Sequence, residues 1–109
     1  MEKIQLGLLN GIYGPLLNNH QREVLQLYFD NDMSLAEVAE EQGITRQAVR
    51  DIIARSSSKL KQYEEKLGFS ELYFKLIGDL ESMLNRFDIL SKEDIKKEIN
   101  IMKEFLKGE

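Results

Sequence analysis

Cysteine and tryptophan are absent from this chain, and proline and histidine occur once each. Without cysteine there is neither a disulfide framework nor a thiolate metal site. The lone histidine, His20, has no histidine or cysteine partner with which to bind a metal or relay a proton, and it falls in the first turn of an expected helix, where exposure is the ordinary outcome. No apolar run approaches the roughly 20 residues of a membrane span. The opening stretch, MEKIQLGLLNGIYG, lacks the apolar core and cleavage pattern of a signal peptide. A cytoplasmic protein with no membrane insertion is therefore expected. A phosphate-cradling glycine loop is also missing. The adjacent pairs Glu40-Glu41 and Glu64-Glu65 would point about 100° apart on a helix, which suits solvent better than a shared acid–base site. These absences predict a protein that is not an enzyme and needs no cofactor or metal.

An overall basic surplus is lacking too, since the net charge is −4. That counts against nucleic acid as a partner, because phosphate neutralisation supplies much of the affinity in such complexes. The distribution matters more than the total. Arg46, Arg50, Arg55, Lys59 and Lys61 stand against Asp51 in residues 45–61, whereas Asp30, Asp32, Glu37, Glu40 and Glu41 crowd the segment before it. The basic part lies where a DNA-reading helix would need it.

What the chain does contain is a two-helix pattern from Ser34 to Ala54, SLAEVAEEQGITRQAVRDIIA. Val38, Ile44, Val49 and Ile52 take the positions that two short crossing helices bury. Ala39 falls at the crossing, where a small side chain lets the axes approach, and Gly43 falls in the turn, where φ > 0 is wanted. Ser34 with Glu37 predicts a capping box for the first helix, and Thr45 predicts the cap of the second. The pattern is that of a helix-turn-helix. Thr45, Arg46, Gln47, Arg50 and Asp51 would then face away from Val49 and Ile52, with residue types able to bond base edges in a DNA major groove. Arg55, Lys59 and Lys61 would hold phosphates beside it.

Around this motif the periodicity is helical throughout. Ile4, Leu8, Leu9 and Ile12 predict a helix over 2–12, ended or kinked at Gly14-Pro15. Asn18 or Asn19 caps a helix carrying Val24, Leu25, Leu27, Tyr28 and Phe29, which should end near Asp30-Asn31-Asp32. The second helix of the motif has no breaker before Gly68, so Thr45 to Leu67 reads as one helix, with a bend left open at Ser56-Ser57-Ser58. Ser70 is expected to cap a further helix with Leu72, Leu76, Leu80, Met83, Leu84 and Phe87 on one face. Ser91 is expected to start another, with Ile95, Ile99, Met102 and Leu106 at spacings of four, three and four. The two form an antiparallel hairpin. Tyr73, Phe74, Ile77, Ile89, Ile101 and Phe105 lie outside those stripes, so the hairpin should pack on the long helix, on a second protomer, or on both.

Two resemblances follow from these residues. Leu16 to Leu60 resembles the fourth region of bacterial sigma factors through the Gln21-Arg22 pair, the Ser-Leu-Ala-Glu-Val-Ala helix and Arg55. Gln42 departs from that pattern at a position often apolar. Over about two-thirds of the chain, the N-terminal helix, the Tyr28-Phe29 pair, Thr45-Arg46-Gln47-Ala48-Val49 and Tyr63-Glu64-Glu65-Lys66-Leu67 are similar to the YlxM-type family of small helix-turn-helix proteins. That resemblance implies an all-helical cytoplasmic bacterial protein with a regulatory part in the signal recognition particle pathway.

The expected architecture is all-α: a sigma-region-4-like helix-turn-helix with an N-terminal helix and a long recognition helix in 1–67, and a hairpin for dimerisation or packing in 68–109. The expected function is DNA-binding regulation linked to the signal recognition particle. The alternative is an accessory protein that grips the particle's RNA or its GTPase. A homodimer would pair two reader helices.

Overall fold

A computed structural model describes residues 3–108. Six α-helices, and no strand, are found among the described residues. The chain divides into two compact units, the first ending at Ser70 and the second beginning at Glu71.

Helix α1, Lys3–Tyr13, has Leu6, Leu9, Asn10 and Tyr13 buried. The expected start at residue 2 lies outside the described residues. Pro15 has no N–H to continue the ladder, so the chain tightens into a 3₁₀ turn over Gly14–Leu16. Helix α2, Asn19–Leu25, starts at a reciprocal capping box: Gln21 N–H donates to Asn18 Oδ1 at 2.8 Å, and Asn18 N–H donates to Gln21 Oε1 at 3.3 Å. Beyond Leu25 the coil widens into a π-helical turn, Gln26–Asp30, closed by Asn31 N–H on the Gln26 carbonyl at 3.1 Å. The widening leaves Leu27, Tyr28 and Phe29 all half-buried, and the Tyr28 and Phe29 rings meet edge-on at 5.2 Å.

Helix α3, Leu35–Gln42, and helix α4, Arg46–Leu67, form the helix-turn-helix. Gly43 takes φ 68° between them. Ile44 N–H returns to the Ala39 carbonyl at 3.0 Å and Gly43 N–H to Glu40 at 3.3 Å, which closes α3 in a Schellman motif. Helices α1, α2 and α3 all pack on α4. Two apolar clusters result. Leu6, Leu9, Tyr13, Leu17, Leu25 and Leu60 make one, and Val24, Val38, Ala39 and Val49 make the other, with Ile53 packed against both.

Helix α4 runs through Ser56-Ser57-Ser58 without interruption, and Ser56 and Ser57 are buried. Val49, Ile53, Ser56 and Leu60 are spaced four, three and four, so Ser56 holds a core position where a small side chain lets a neighbouring helix come close. Its hydroxyl has no hydrogen-bond partner. Ser56→Ala is therefore expected to be neutral or stabilising, whereas Ser56→Leu should cost about 1–3 kcal/mol by overpacking. Urea denaturation of both variants checks this. Equal, small effects would mean the site is not close-packed.

Helix α5, Phe69–Asn85, begins two residues earlier than a Ser70 cap would place it. Side chains distant in sequence take the capping role. Phe69 N–H donates to Tyr13 Oη at 3.0 Å, and Ser70 N–H donates to Glu64 Oε1 at 3.1 Å. Tyr13 O–H in turn donates to Glu64 Oε1 at 2.5 Å, and the Ser70 hydroxyl donates to Glu64 Oε2. Burial, followed by the bond to the Glu64 carboxylate, pushes the Tyr13 phenol above its ordinary value.

In the second unit the chain leaves α5 through a 3₁₀ turn, Phe87–Ile89, and enters helix α6, Lys92–Leu106. Ser91, the expected start, caps it in a box with Asp94. Arg86 donates to Glu98 at 2.7 Å, and the Lys75 ammonium sits 4.6 Å from the Phe105 ring centre. Those pairings make α5 and α6 antiparallel. No described residue from 71 onward is buried.

Candidate nucleic-acid interface

The start of α4 is set by local chemistry. Ala48 N–H donates to Thr45 Oγ1 at 3.0 Å, which fixes the first turn and leaves Arg46 and Gln47 exposed just beyond it. The register of α3 is pinned similarly, with Glu37 N–H on Ser34 Oγ at 3.1 Å and Ser34 N–H on Glu37 Oε1 at 3.0 Å. That backbone bond, then the Ser34 side chain, holds the Glu37 carboxyl below its ordinary value. A carboxyl depressed on folding contributes stability above its unfolded value and loses it as pH falls through the folded one. Stability should thus decline through the acid carboxylate range, and Glu37→Gln, which can still complete the box, should flatten that decline. An unchanged pH profile in the variant would remove Glu37 from the account.

Val49 is fully buried, and Ile52 and Ile53 are half-buried against their clusters, so the rest of the helix surface is fixed by the helical period of about 100° per residue. Thr45, Arg46, Gln47, Arg50, Asp51, Arg55 and Lys59 are all exposed, and Lys61 is half-buried. They do not form one patch. Because α4 is continuous, Arg46, Arg50 and Lys61 fall along one edge of its outer surface. Arg55 and Lys59 fall along the other, about 170° away. Gln47, Asp51, Ala54 and Ser58 occupy the strip between. Lys66 continues the second edge at the same period. The charge count over residues 45–61 stopped short of it.

Asp51 is engaged within the strip: Gln47 Nε2 donates to Asp51 Oδ1 at 3.1 Å. This i, i+4 pair orients both candidate base readers and gives the carboxylate a partner on its own helix. Behind the strip, Glu37, Glu40 and Glu41 remain exposed on α3, so the acidic surface belongs to the first helix and the basic edges to the second. Gln42, the departure from the sigma pattern, is half-buried at the end of α3.

Residues 1–106 match the family UPF0122, described as "Putative helix-turn-helix protein, YlxM / p13 like". The chain belongs to this family. A UPF0122 protein of Symbiobacterium thermophilum is 40% identical over 93 residues, covering 82% of this chain and 87% of that protein. One from Desulforamulus reducens is 36% identical over 106 residues, covering 94% and 91%. One from Clostridium kluyveri reaches 51% identity over 70 residues, 64% and 63% of the two chains. The first two matches extend across most of both chains.

Among the described residues no cluster of histidine, aspartate and glutamate is placed to hold a metal ion, and no helix is long and apolar enough to cross a membrane.

Proposed function

We propose that this protein is a helix-turn-helix regulator that binds duplex DNA by laying the outer strip of α4 into the major groove. In this reading Arg46, Gln47 and Arg50 meet base edges, Asp51 orients Gln47, and Arg55 and Lys59 hold phosphates. Thr45 contributes its hydroxyl at the groove edge. The half-buried Lys61, on the other edge, supplies positive potential toward the opposite phosphate wall.

The observation that carries the reading is the pair of basic edges flanking a near-neutral strip on one uninterrupted helix. A B-form major groove about 12 Å wide admits a helix between two phosphate walls, so Arg55 and Lys59 would face one wall, while on the other edge Arg46 and Arg50 reach base edges and Lys61, farther along, faces the second wall. The first-turn amides of α4 add the positive end of a helix dipole. An A-form RNA duplex has a major groove too narrow for such an entry, so there the two edges could not be satisfied together. Duplex DNA is therefore favoured over signal recognition particle RNA as the ligand of this surface, and the tie to that pathway is regulatory rather than a structural part of the particle.

The test is a competition experiment with the full-length protein. Labelled signal recognition particle RNA and labelled duplex DNA are each challenged with unlabelled, unrelated duplex DNA. The RNA should be displaced readily if only the basic edges touch it. RNA binding that survives a large excess of duplex, or binding of the particle's GTPase alone, would overturn the DNA reading and favour an accessory factor.

A further inference from the structure

The second unit lacks a core of its own. Residues 71–108 include no buried side chain, and a two-helix unit of this size needs a disulfide, a metal or another protein surface to be stable. Cysteine is absent from the chain and no metal-binding cluster occurs among the described residues. Another protein surface remains.

The exposed apolar residues are ordered. Tyr73, Ile77, Leu80 and Leu84 follow one another along α5 at spacings of four, three and four, the period of a helix-packing seam, and Phe87 of the following 3₁₀ turn lies beside Leu80 and Leu84. All five are exposed. This seam stands about 100° around α5 from Leu72, Leu76 and Met83, the half-buried residues that face α6. Ile99 and Leu106 of α6, both exposed, extend the same side, and Leu80, Met83, Leu84, Phe87, Leu90 and Ile95 line a shallow apolar cleft there. The opposite side of the hairpin is interrupted by charge, with the Lys75–Asp79 and Arg86–Glu98 ion pairs set among Ile101, Met102 and Phe105.

We propose that this apolar face is where two copies of the chain associate, hairpin on hairpin, as a four-helix bundle. Three properties point to a second copy rather than a different partner. The seam is self-complementary in period, so a two-fold axis gives every knob an equivalent hole. The large side chains on this face expose on the order of 800 Å², about what each partner of a stable complex buries. The hairpin from 71 to 109 is also close to neutral, seven basic against nine acidic residues, and the seam itself carries no charge to select a basic or an acidic partner. The association needs no nucleic acid, so its failure would leave the DNA reading of α4 untouched.

The experiment is light scattering on the full-length protein at micromolar concentration, with the fold of each variant checked by circular dichroism. The wild type should run at twice the 12.7 kDa chain mass. Leu84→Glu and Ile99→Glu, one on each helix of the seam side, should run at the single-chain mass. Leu84 is 74% exposed in the single chain, so its replacement leaves the monomer fold intact. Ile101→Glu is the control, because Ile101 is 62% exposed but lies on the side of the ion pairs, with Lys75, Asp79 and Glu98. It should keep the double mass. A wild type of single mass, or seam variants that keep the double mass, would overturn the proposal.

Discussion

Leu60→Ala is expected to cost about 2–5 kcal/mol of folding stability, a large share of what a domain of this size possesses. Leu60 is fully buried where α4 meets Leu6, Leu9 and Tyr13 of α1, together with Leu17 and Leu25. Truncation removes three carbons from water-free surroundings and leaves a cavity that several helices would have to collapse to fill. The contrast lies seven residues on. Leu67 continues the same stripe yet is 51% exposed, so Leu67→Ala should change stability by no more than about 1 kcal/mol. Urea denaturation of the two variants separates them. Similar costs would mean that the first unit is not organised around α4 as described.

The second large effect concerns binding. Arg50→Ala is expected to weaken the complex with a preferred duplex by about 1–3 kcal/mol, roughly 5- to 150-fold, and to relax preference at one position. Arg50 lies on the edge of the outer strip nearest the start of α4, where a base edge is within reach. Lys59 lies on the opposite edge, farther along the helix. Lys59→Ala should therefore weaken all sequences alike and reduce the salt slope by about 1. Titration of a selected site and a scrambled one with each variant tells the two roles apart. Loss of affinity without any change of preference in Arg50→Ala would make that residue a phosphate contact instead.

The caps were readable because capping is local chemistry. Ser34 with Glu37, Ser91, Thr45 and Gly43 in the turn each need only neighbours within a few residues, and of Asn18 and Asn19, both open in the sequence, it is Asn18 that caps, in a box with Gln21. Where the partner is remote the sequence was silent. Tyr13 and Glu64 supply acceptors to the first amides of α5, so that helix starts at Phe69 without a side-chain cap from Ser70. The serine run misled for a related reason. Propensity argued for weakness at Ser56, whereas the four-three-four spacing from Val49 to Leu60 already marked it as an inward position, and packing prevailed. The π turn at Gln26–Asp30 had no signal in the pattern beyond an unusually broad apolar face.

The candidate site shows the same division. Which side chains α4 exposes followed from the period alone, whereas the Gln47–Asp51 bond at i, i+4 came only with the structure. Their separation into two edges depended on α4 remaining straight in register through the serines. With that continuity established, a compact basic patch becomes a pair of rails, and Lys66 joins the second of them.

The central claim is that α4 offers both rails to one duplex. Its most direct test is the affinity of the full-length protein for random-sequence duplex DNA over a salt series of about 50 to 200 mM, repeated for Arg50→Glu and for Lys59→Glu. Steep, salt-dependent binding that either charge reversal alone largely abolishes is the expected result. Binding that is absent at the lowest salt, that is indifferent to salt, or that survives reversal of one edge would contradict the account.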